Sequence, residues 1–305
     1  LRAREGISDP AFVYYFSQSD GLRSAAIKSM SGASGRQRAL ISALSDFECE
    51  FPPLSTQRRV AQILSAYDEL IENSQRRIDI VESIARALYR EWFVHFRLPG
   101  YESVPRVLSP VGEIPLGWEI RHVKDVANVT YGFTFASGKF NGNGTGTPIV
   151  RIRDIPHGVS ATFTTEDAEE RYRIRDGNIL VGMDGDFHMC VWSGGHAFQN
   201  QRVARFESMG EIGNLHLFFA LEKPIRELNR AIVGTTVAHL GDMHIKRIQL
   251  VWPPWEVRAK AQELLEPLSK QIIVLKRRIQ ILRRTRDLLL PRLMSGQVDV
   301  GADAS

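Results

Sequence analysis

The chain is poor in cysteine, in long apolar runs and in charge of one sign. Its two cysteines, Cys49 and Cys190, cannot build a disulfide framework, and each reads as a buried small hydrophobe rather than a reactive thiol. So sparing a use suits a reducing cytosol, and the expected location is cytoplasmic. No apolar run approaches the roughly 20 residues that span a bilayer, and no signal peptide opens the sequence, so no membrane partner is expected. The formal net charge is only +4, from 39 Lys and Arg against 35 Asp and Glu. That balance permits a nucleic-acid partner without demanding one. Zinc-ligand spacing is also missing: His188 and Cys190 stand close together without two further ligands at suitable distance.

What is present is ample apolar material, 43% of 305 residues, enough for about two domains with real cores. Its most regular part runs over residues 60–92. Apolar or small residues recur there at alternating steps of four and three: Val60, Leu64, Tyr67, Ile71, Ser74, Ile78, Val81, Ala85, Leu88 and Trp92. A mean step of three and a half keeps one face of a helix turned toward a partner, the signature of a coiled-coil seam. Shifting every position by 201 gives Ala261, Leu265, Leu268, Ile272, Leu275, Ile279, Leu282, Arg286, Leu289 and Leu293, a second seam in the same register.

The repeat extends upstream of both helices. Pro52-Pro53 and Pro253-Pro254 each close an extended run, residues 46–51 and 247–252, and residues 12–16 match 215–219. The segment Met30-Ser31-Gly32 similarly falls near Val233-Gly234-Thr235. The chain therefore reads as about one and a half copies of a globular part followed by a long helix, and residues 1–5 align loosely with 203–207, as though the first copy began in its middle.

Residues 1–53 carry an apolar helical patch at Phe12, Val13, Tyr15 and Phe16, a polar loop over 29–37 and a short strand over 47–51. The first long helix spans the region 54–98, starting at Ser55 or Thr56, whose hydroxyls can cap the first turn. About forty residues at 1.5 Å each give a rod of roughly 60 Å. Pro and Gly make 99–113 a linker. Residues 114–252 form a mixed domain with strands expected at 118–123, 148–155, 178–183 and 202–207, a glycine-rich loop at 138–147, an amphipathic helix at 214–232 and a closing strand at 247–252. The inner face of that helix is expected to carry Leu215, Phe218, Phe219, Ile225, Leu228 and Ile232. The second long helix occupies 253–294, with an end or kink expected at Pro291 and a weak match at Leu293, and 295–305 form a tail released by Gly296. The fold class is α+β: strands and helices do not alternate regularly, and two long helices form an antiparallel coiled coil.

Several phrases together resemble the specificity subunit of Type I restriction-modification enzymes. They are Ile114-Pro115-Leu116-Gly117-Trp118-Glu119, Val181-Gly182-Met183-Asp184-Gly185-Asp186, Asn200-Gln201-Arg202, Gly234-Thr235-Thr236 and Leu289-Leu290-Pro291-Arg292-Leu293-Met294-Ser295-Gly296. The resemblance implies two mixed target-recognition domains, each reading half of a split DNA sequence. In this chain, 1–53 would be the C-terminal remnant of the first and 114–252 the second. It also implies a non-catalytic role. Modification subunits held on the helices would carry adenine methylation with S-adenosylmethionine, and a restriction subunit would carry the motor and nuclease with ATP and Mg. No cofactor is expected in this chain. The implied partners are double-stranded DNA and those two kinds of subunit, and the helix interface would comprise Val60, Leu64, Tyr67, Ile71, Ile78, Val81 and Leu88 with Leu265, Leu268, Ile272, Leu275, Ile279, Leu282 and Leu289.

DNA contacts are sought among polar and basic groups in loops and at strand ends. Tyr131, Phe133, Thr134 and Lys139 flank a glycine-rich loop able to enter a groove, although a hairpin loop over a core Tyr and Phe gives the same pattern. Arg151 and Arg153 alternate with Val150 and Ile152, so they share one strand face and can fork onto guanine or simply face solvent. Asn200, Gln201 and Arg202 sit in a family motif common to subunits with different targets, which favours a structural or phosphate role over base readout. Thr235 and Thr236 with His239 and His244 offer donors to phosphate, and Gly32 and Ser34 are their weakened counterpart. Asp184, Asp186 and His188 invite a metal-nuclease reading, against which a tight Asp-Gly turn between strands is preferred. The cluster Lys276, Arg277, Arg278, Arg283, Arg284 and Arg286 has a solvated helix face as its default explanation. A coiled-coil scaffold without DNA specificity is the alternative function.

Overall fold

The structure is a computed structural model that describes residues 1–31, 38–210, 212–232 and 239–301. In chain order its elements are α1 (Pro10–Phe16), α2 (Asp20–Lys28), α3 (Ile41–Ser45), α4 (Leu54–Tyr89), β1 (Arg106–Ser109), β2 (Gly112–Pro115), β3 (Glu119–His122), α5 (Val123–Val126) and β4 (Ala127–Tyr131). Then come β5 (Phe140–Asn141), β6 (Thr147–Val150), β7 (Phe163–Thr164), β8 (Arg173–Ile174), β9 (Ile179–Gly182), β10 (Met189–Val191), β11 (Ala197–Gln199), β12 (Val203–Ser208), α6 (Asn214–Ile232), α7 (Asp242–Lys246), β13 (Gln249–Trp252) and α8 (Trp255–Met294). Contacts divide the chain into one unit of Leu1–Arg76 with Arg278–Ser305 and another of Arg77–Arg277.

In the first unit, the Asp9 carboxylate accepts the Ala11 and Phe12 N–H groups at 2.9 and 3.0 Å, and Pro10 opens α1 where no N–H is needed. Phe12 and Tyr15 then pack on Val60, Ala61 and Leu64 of α4 together with Leu293 of α8. Further along α4, Asp68 meets Arg286 at 2.5 Å. Rising numbers on α4 thus accompany falling numbers on α8, so the two helices are antiparallel here.

Four expectations for this unit are corrected. Residues 47–51 form no strand; their aromatic rings pack instead, Phe51 against Phe12 and Phe16, and Phe47 against Phe16. In the other copy the matching strand β13 pairs with β3. Helix α8 runs through Pro291 to Met294, and Leu293 is buried. The proline removes the one N–H that would reach the Asp287 carbonyl, and the helix continues past that single loss for its final turn. Residues 296–301 fold back rather than trail free: Val298 N–H donates to Arg292 O, and Arg59 donates to Gly301 O at 2.7 Å. Cys49 is exposed, not buried.

The second unit holds the mixed domain. A four-stranded antiparallel sheet has the order β10-β9-β12-β4, and a five-stranded sheet has the order β5-β7-β6-β11-β8 with β11 and β6 parallel. β9 is buried along its whole length, as an apolar strand covered on both faces should be. One face carries α6, whose Leu217, Leu221 and Ile225 meet Ile179, Val181, Ala204 and Phe206; on the other, Leu180 and Val203 meet Val150, Ile155 and Trp192. Leu217 and Leu221, absent from the expected inner face, are its most deeply buried members, while Phe218 and Leu228 are half-buried. The side chain of Ile232 lies outside the described residues.

Three further segments differ from expectation. The linker contributes β1 to a hairpin with β2, pairing Arg106 with Pro115. The glycine-rich loop contains the two-residue β5. The strand expected over 148–155 stops at Val150 and becomes a tight 3-10 turn, Ile152–His157, because the Asp154 carboxylate takes the Arg151 N–H at 2.9 Å. In this unit α4 and α8 are again antiparallel, with Glu82 meeting Lys276 at 2.7 Å while Trp92 and Phe93 pack near Val257 and Ala261. Trp92 sits in a π-helical turn, Arg90–Val94, that ends the first long helix. Cys190 lies in β10, and burial pushes its thiol pKa up to about 12.

Along both long helices the seam positions turn away from solvent. Val60, Leu64, Ile71, Ser74, Ile78, Val81, Ala85 and Trp92 are buried, with Tyr67 and Leu88 half-buried. On α8, Ala261, Leu265, Ile272, Leu275, Ile279 and Leu293 are buried and Leu268, Leu282, Arg286 and Leu289 half-buried.

Candidate nucleic-acid interface

The sequence-derived candidates in the mixed domain gather around the backbone of Asn200. Asn200 N–H donates to Val150 O at 3.1 Å, next to Arg151, and a parallel bridge joins Asn200 to Phe133. Gly132 packs directly on the Asn200 carbonyl, a contact only a residue without a side chain permits. Beneath the crossing lies Gln199, fully buried, whose Nε2 donates to Thr130 O at 2.7 Å and Val203 O at 2.8 Å. Gln199 is not among the sequence-derived candidates, although an amide directly after the apolar pair Ala197-Phe198 is a signal for a buried hydrogen-bonding role.

Not every candidate is free to touch a ligand. Asn200 is buried, Gln201 is half-buried, and both belong to the scaffold. Tyr131 donates its hydroxyl to Asp242 at 2.6 Å, and burial followed by that bond raises its phenol pKa. Phe133 stacks edge-on to Phe135 and against Tyr172. Arg151 and Arg153 do not share a strand face: the first lies over the Phe140 ring at 5.7 Å and the second reaches Thr162 Oγ1 at 3.1 Å from the 3-10 turn. Thr134, Lys139, Arg153, Arg202 and His239 are exposed. Thr235 and Thr236, like Gly32 and Ser34, lie outside the described residues.

Two motifs distant in sequence meet at Asp184. Its carboxylate lies 2.6 Å from His239 Nδ1 and 3.2 Å from Arg202, while Met183 N–H donates to Arg202 O and Leu240 N–H donates to Met183 O. Residues 183–188 make a tight turn between β9 and β10, with Gly185 at φ 68°. A carboxylate that clamps two loops in this way explains the Asp-Gly phrase without nuclease chemistry. Asp184→Asn is expected to cost about 1 kcal/mol, as for partly exposed pairs, visible as a lower melting temperature and faster amide exchange around residue 240. Mg-dependent nicking by the purified chain, lost in Asp184→Asn, would restore the metal reading.

Beside this clamp, Asp242 receives Lys124 at 2.5 Å, Lys246 at 2.7 Å and the Tyr131 hydroxyl, and these bonds, Lys124 first, hold its carboxyl well below the usual carboxylate range. Arg205 is a second unforeseen anchor. It donates to the Arg171 carbonyl at 3.1 Å and to that of Arg173, tying the 3-10 turn Glu170–Tyr172 to β12, and burial lowers its pKa. The candidate interface therefore consists of exposed polar tips on a closely hydrogen-bonded base.

Comparison with known proteins places the chain in a family. The model of the Type I restriction modification DNA specificity domain matches residues 3–83 and 115–284, and the chain belongs to that family. The Type I restriction enzyme MjaIX specificity subunit of Methanocaldococcus jannaschii is 26% identical over 299 residues, covering 95% of this chain and 69% of that protein. The EcoBI specificity subunit of Escherichia coli is 32% identical over 208 residues, covering 67% of this chain and 44% of that protein. The chain thus spans less than half the length of the second relative. Among solved structures, the Type-I restriction-modification system S subunit from M. genitalium shares the fold, with a TM-score of 0.57 and 18% identity over 94% of this chain and 72% of that one. The resemblance read from the motifs is borne out, and these relatives are named as specificity subunits. No helix among the described residues is long and apolar enough to cross a membrane.

Proposed function

We propose that this chain is a DNA-recognition and scaffold subunit of a cytoplasmic Type I restriction-modification complex, in which residues 114–252 read one half of a bipartite duplex target. The observation that carries this reading is that segments bearing exposed Thr134, Arg153 and Arg202 meet at the buried Asn200 backbone, with exposed Lys139 in the loop beyond Thr134 and His239 tied to Arg202 through Asp184. Exposed tips on a fixed base suit direct readout, because bases are told apart only by donors and acceptors held in register with the groove. Thr235 and Thr236 join the same set as phosphate donors. Residues 54–98 and 253–294 serve as the spacer. Equivalent groove faces recur about every 34 Å, so a stiff rod is needed between two readers. The seam residues from Val60 to Leu88 and from Leu265 to Leu289 hold the rod together, and its outer faces hold the modification subunits. Methylation with S-adenosylmethionine, and ATP- and Mg-dependent translocation and cleavage, belong to those and the restriction subunits.

The test is selection from a randomised duplex pool by the chain bound to a cognate modification subunit, at two salt concentrations. Enrichment of a short half-site, alone or within a split site, is expected. Lys139→Ala should then lower the salt dependence of binding by about one phosphate contact. Enrichment of no sequence above a salt-sensitive background would sink the reading and favour a scaffold without DNA specificity.

A further inference from the structure

The mixed domain is fastened to α8 at two places. Near the start of the helix, Val257 and Ala261 join Trp92, Phe93 and Trp118 in an apolar cluster, and Gln262 packs over Gly213. The second fastening lies about fifteen residues on, roughly 20 Å along the helix. There Arg277 donates to Asp176 Oδ2 at 2.8 Å, and the other oxygen of the same carboxylate accepts Gly195 N–H at 2.8 Å. Ile273 lies against Gly177 just below.

This second site is built to be stiff. Gly177 N–H donates to Trp192 O and Trp192 N–H to Asn178 O, each at 2.8 Å, so the loops 175–178 and 192–195 are laced together. The Trp192 indole N–H closes the second loop by donating to Gly195 O at 2.7 Å, and its ring is fully buried. Asn214, at the start of α6, donates to Gly177 O at 2.8 Å. Asp176 is therefore held in place before Arg277 reaches it, while Arg277, its side chain half-exposed, is the movable partner.

We propose that the Asp176–Arg277 pair is a latch that sets the angle of the DNA-reading domain on α8, making these residues determinants of half-site separation rather than of base identity. The inference rests on the half-site reading above. An apolar cluster at one end resists separation of two bodies but allows them to rock, because hydrophobic contact has no direction. A directional ion pair some 20 Å away blocks that rocking with a long lever arm. Each extra base pair between half-sites rotates the second by about 34°, so tolerance of a wrong spacing is set by how far the reader can swing.

Two measurements test this with Arg277→Met, Arg277→Lys and, as a control for lost positive charge, Arg278→Met. The first uses spin labels at Lys270→Cys on α8 and Glu169→Cys on the domain, with the exposed Cys49 replaced by serine, in the full chain bound to its modification subunits. The distance distribution should be narrow in the parent and Arg278→Met, broad in Arg277→Met and narrow again in Arg277→Lys. An unchanged width in Arg277→Met overturns the latch. The second measures binding to duplexes whose two half-sites are separated in single base-pair steps. Arg277→Met should lose discrimination against the neighbouring spacing by up to about fivefold, the most an exposed pair supplies, while keeping its affinity for a single half-site. Unchanged spacing preference overturns the specificity role. Failure of the parent chain to bind any half-site would instead sink the proposed function, and the label distances would still decide the latch.

Discussion

Gly132→Ala is expected to destabilise the mixed domain by about 3 kcal/mol or more, at the upper end for overpacking. The new methyl would stand 2.6 Å from Gln199 O and closer still to the carbonyl group of Asn200. These neighbours are backbone, so no side chain can swing aside. Relief needs separation of β4 from the turn after β11, and that separation stretches three bonds: Gly132 N–H to Val203 O at 3.2 Å, Phe133 N–H to Gln199 O at 2.9 Å, and the Gln199 amide to Thr130 O. For a unit of this size the melting temperature should fall by about 6–12 °C. Gly138→Ala, in the loop that follows, is the matched control, since its added methyl meets nothing within 4 Å. Calorimetry on both variants decides the matter: equal melting temperatures would show that the crossing gives way freely. The same variant should lose half-site binding, because Thr134 and Lys139 leave the scaffold at this crossing.

The second large effect is acid sensitivity originating at His216. This imidazole is fully buried, with Phe93 edge-on at 4.3 Å and Tyr89 at 5.2 Å, and its Nδ1 has no hydrogen-bond partner among the described residues. Burial alone lowers its pKa from 6.5 to about 3. Between those values the unfolded chain binds a proton that the folded chain refuses, so the stability of the neutral state is complete above about pH 6.5 and falls as pH drops toward 3. At ~1.4 kcal/mol per pH unit the full loss is a few kcal/mol. His216→Val should flatten this slope, with the difference between parent and variant isolating the imidazole from the carboxylates that also titrate. Valine is a suitable replacement because Val13 occupies the matching place in the first copy. Denaturant unfolding at steps from pH 7 to pH 4 would measure it, and parallel curves for the two proteins would refute the assignment.

The same imidazole shows why sequence and structure speak to different distances along the chain. Matching residues 12–16 with 215–219 places a helix in both copies, and both helices are present as α1 and α6. The pattern does not say what each helix meets. In the second copy Leu217 is fully buried against the sheet, while Tyr14, its partner in the alignment, is 58% exposed. Candidate contacts behaved likewise. Asn200, Gln201 and Arg202 were visible as a motif, but buried amides and an exposed guanidinium look alike in a string of polar letters. Alternation with Val150 and Ile152 predicts one strand face for Arg151 and Arg153, and a single carboxylate, Asp154, turns the backbone instead.

By itself the sequence determined the helical seam and its repetition 201 residues later. These follow from local periodicity, and a helix with a 3.5-residue apolar step has only one face to bury. Only the tertiary structure decided that Asp184 joins Arg202 to His239, that Gln199 underlies the candidate interface, that residues 47–51 form no strand, and that α8 passes through Pro291. Each of these depends on a partner distant in the chain or on the cost of one missing bond beside a helix end. No window of neighbouring residues contains that information.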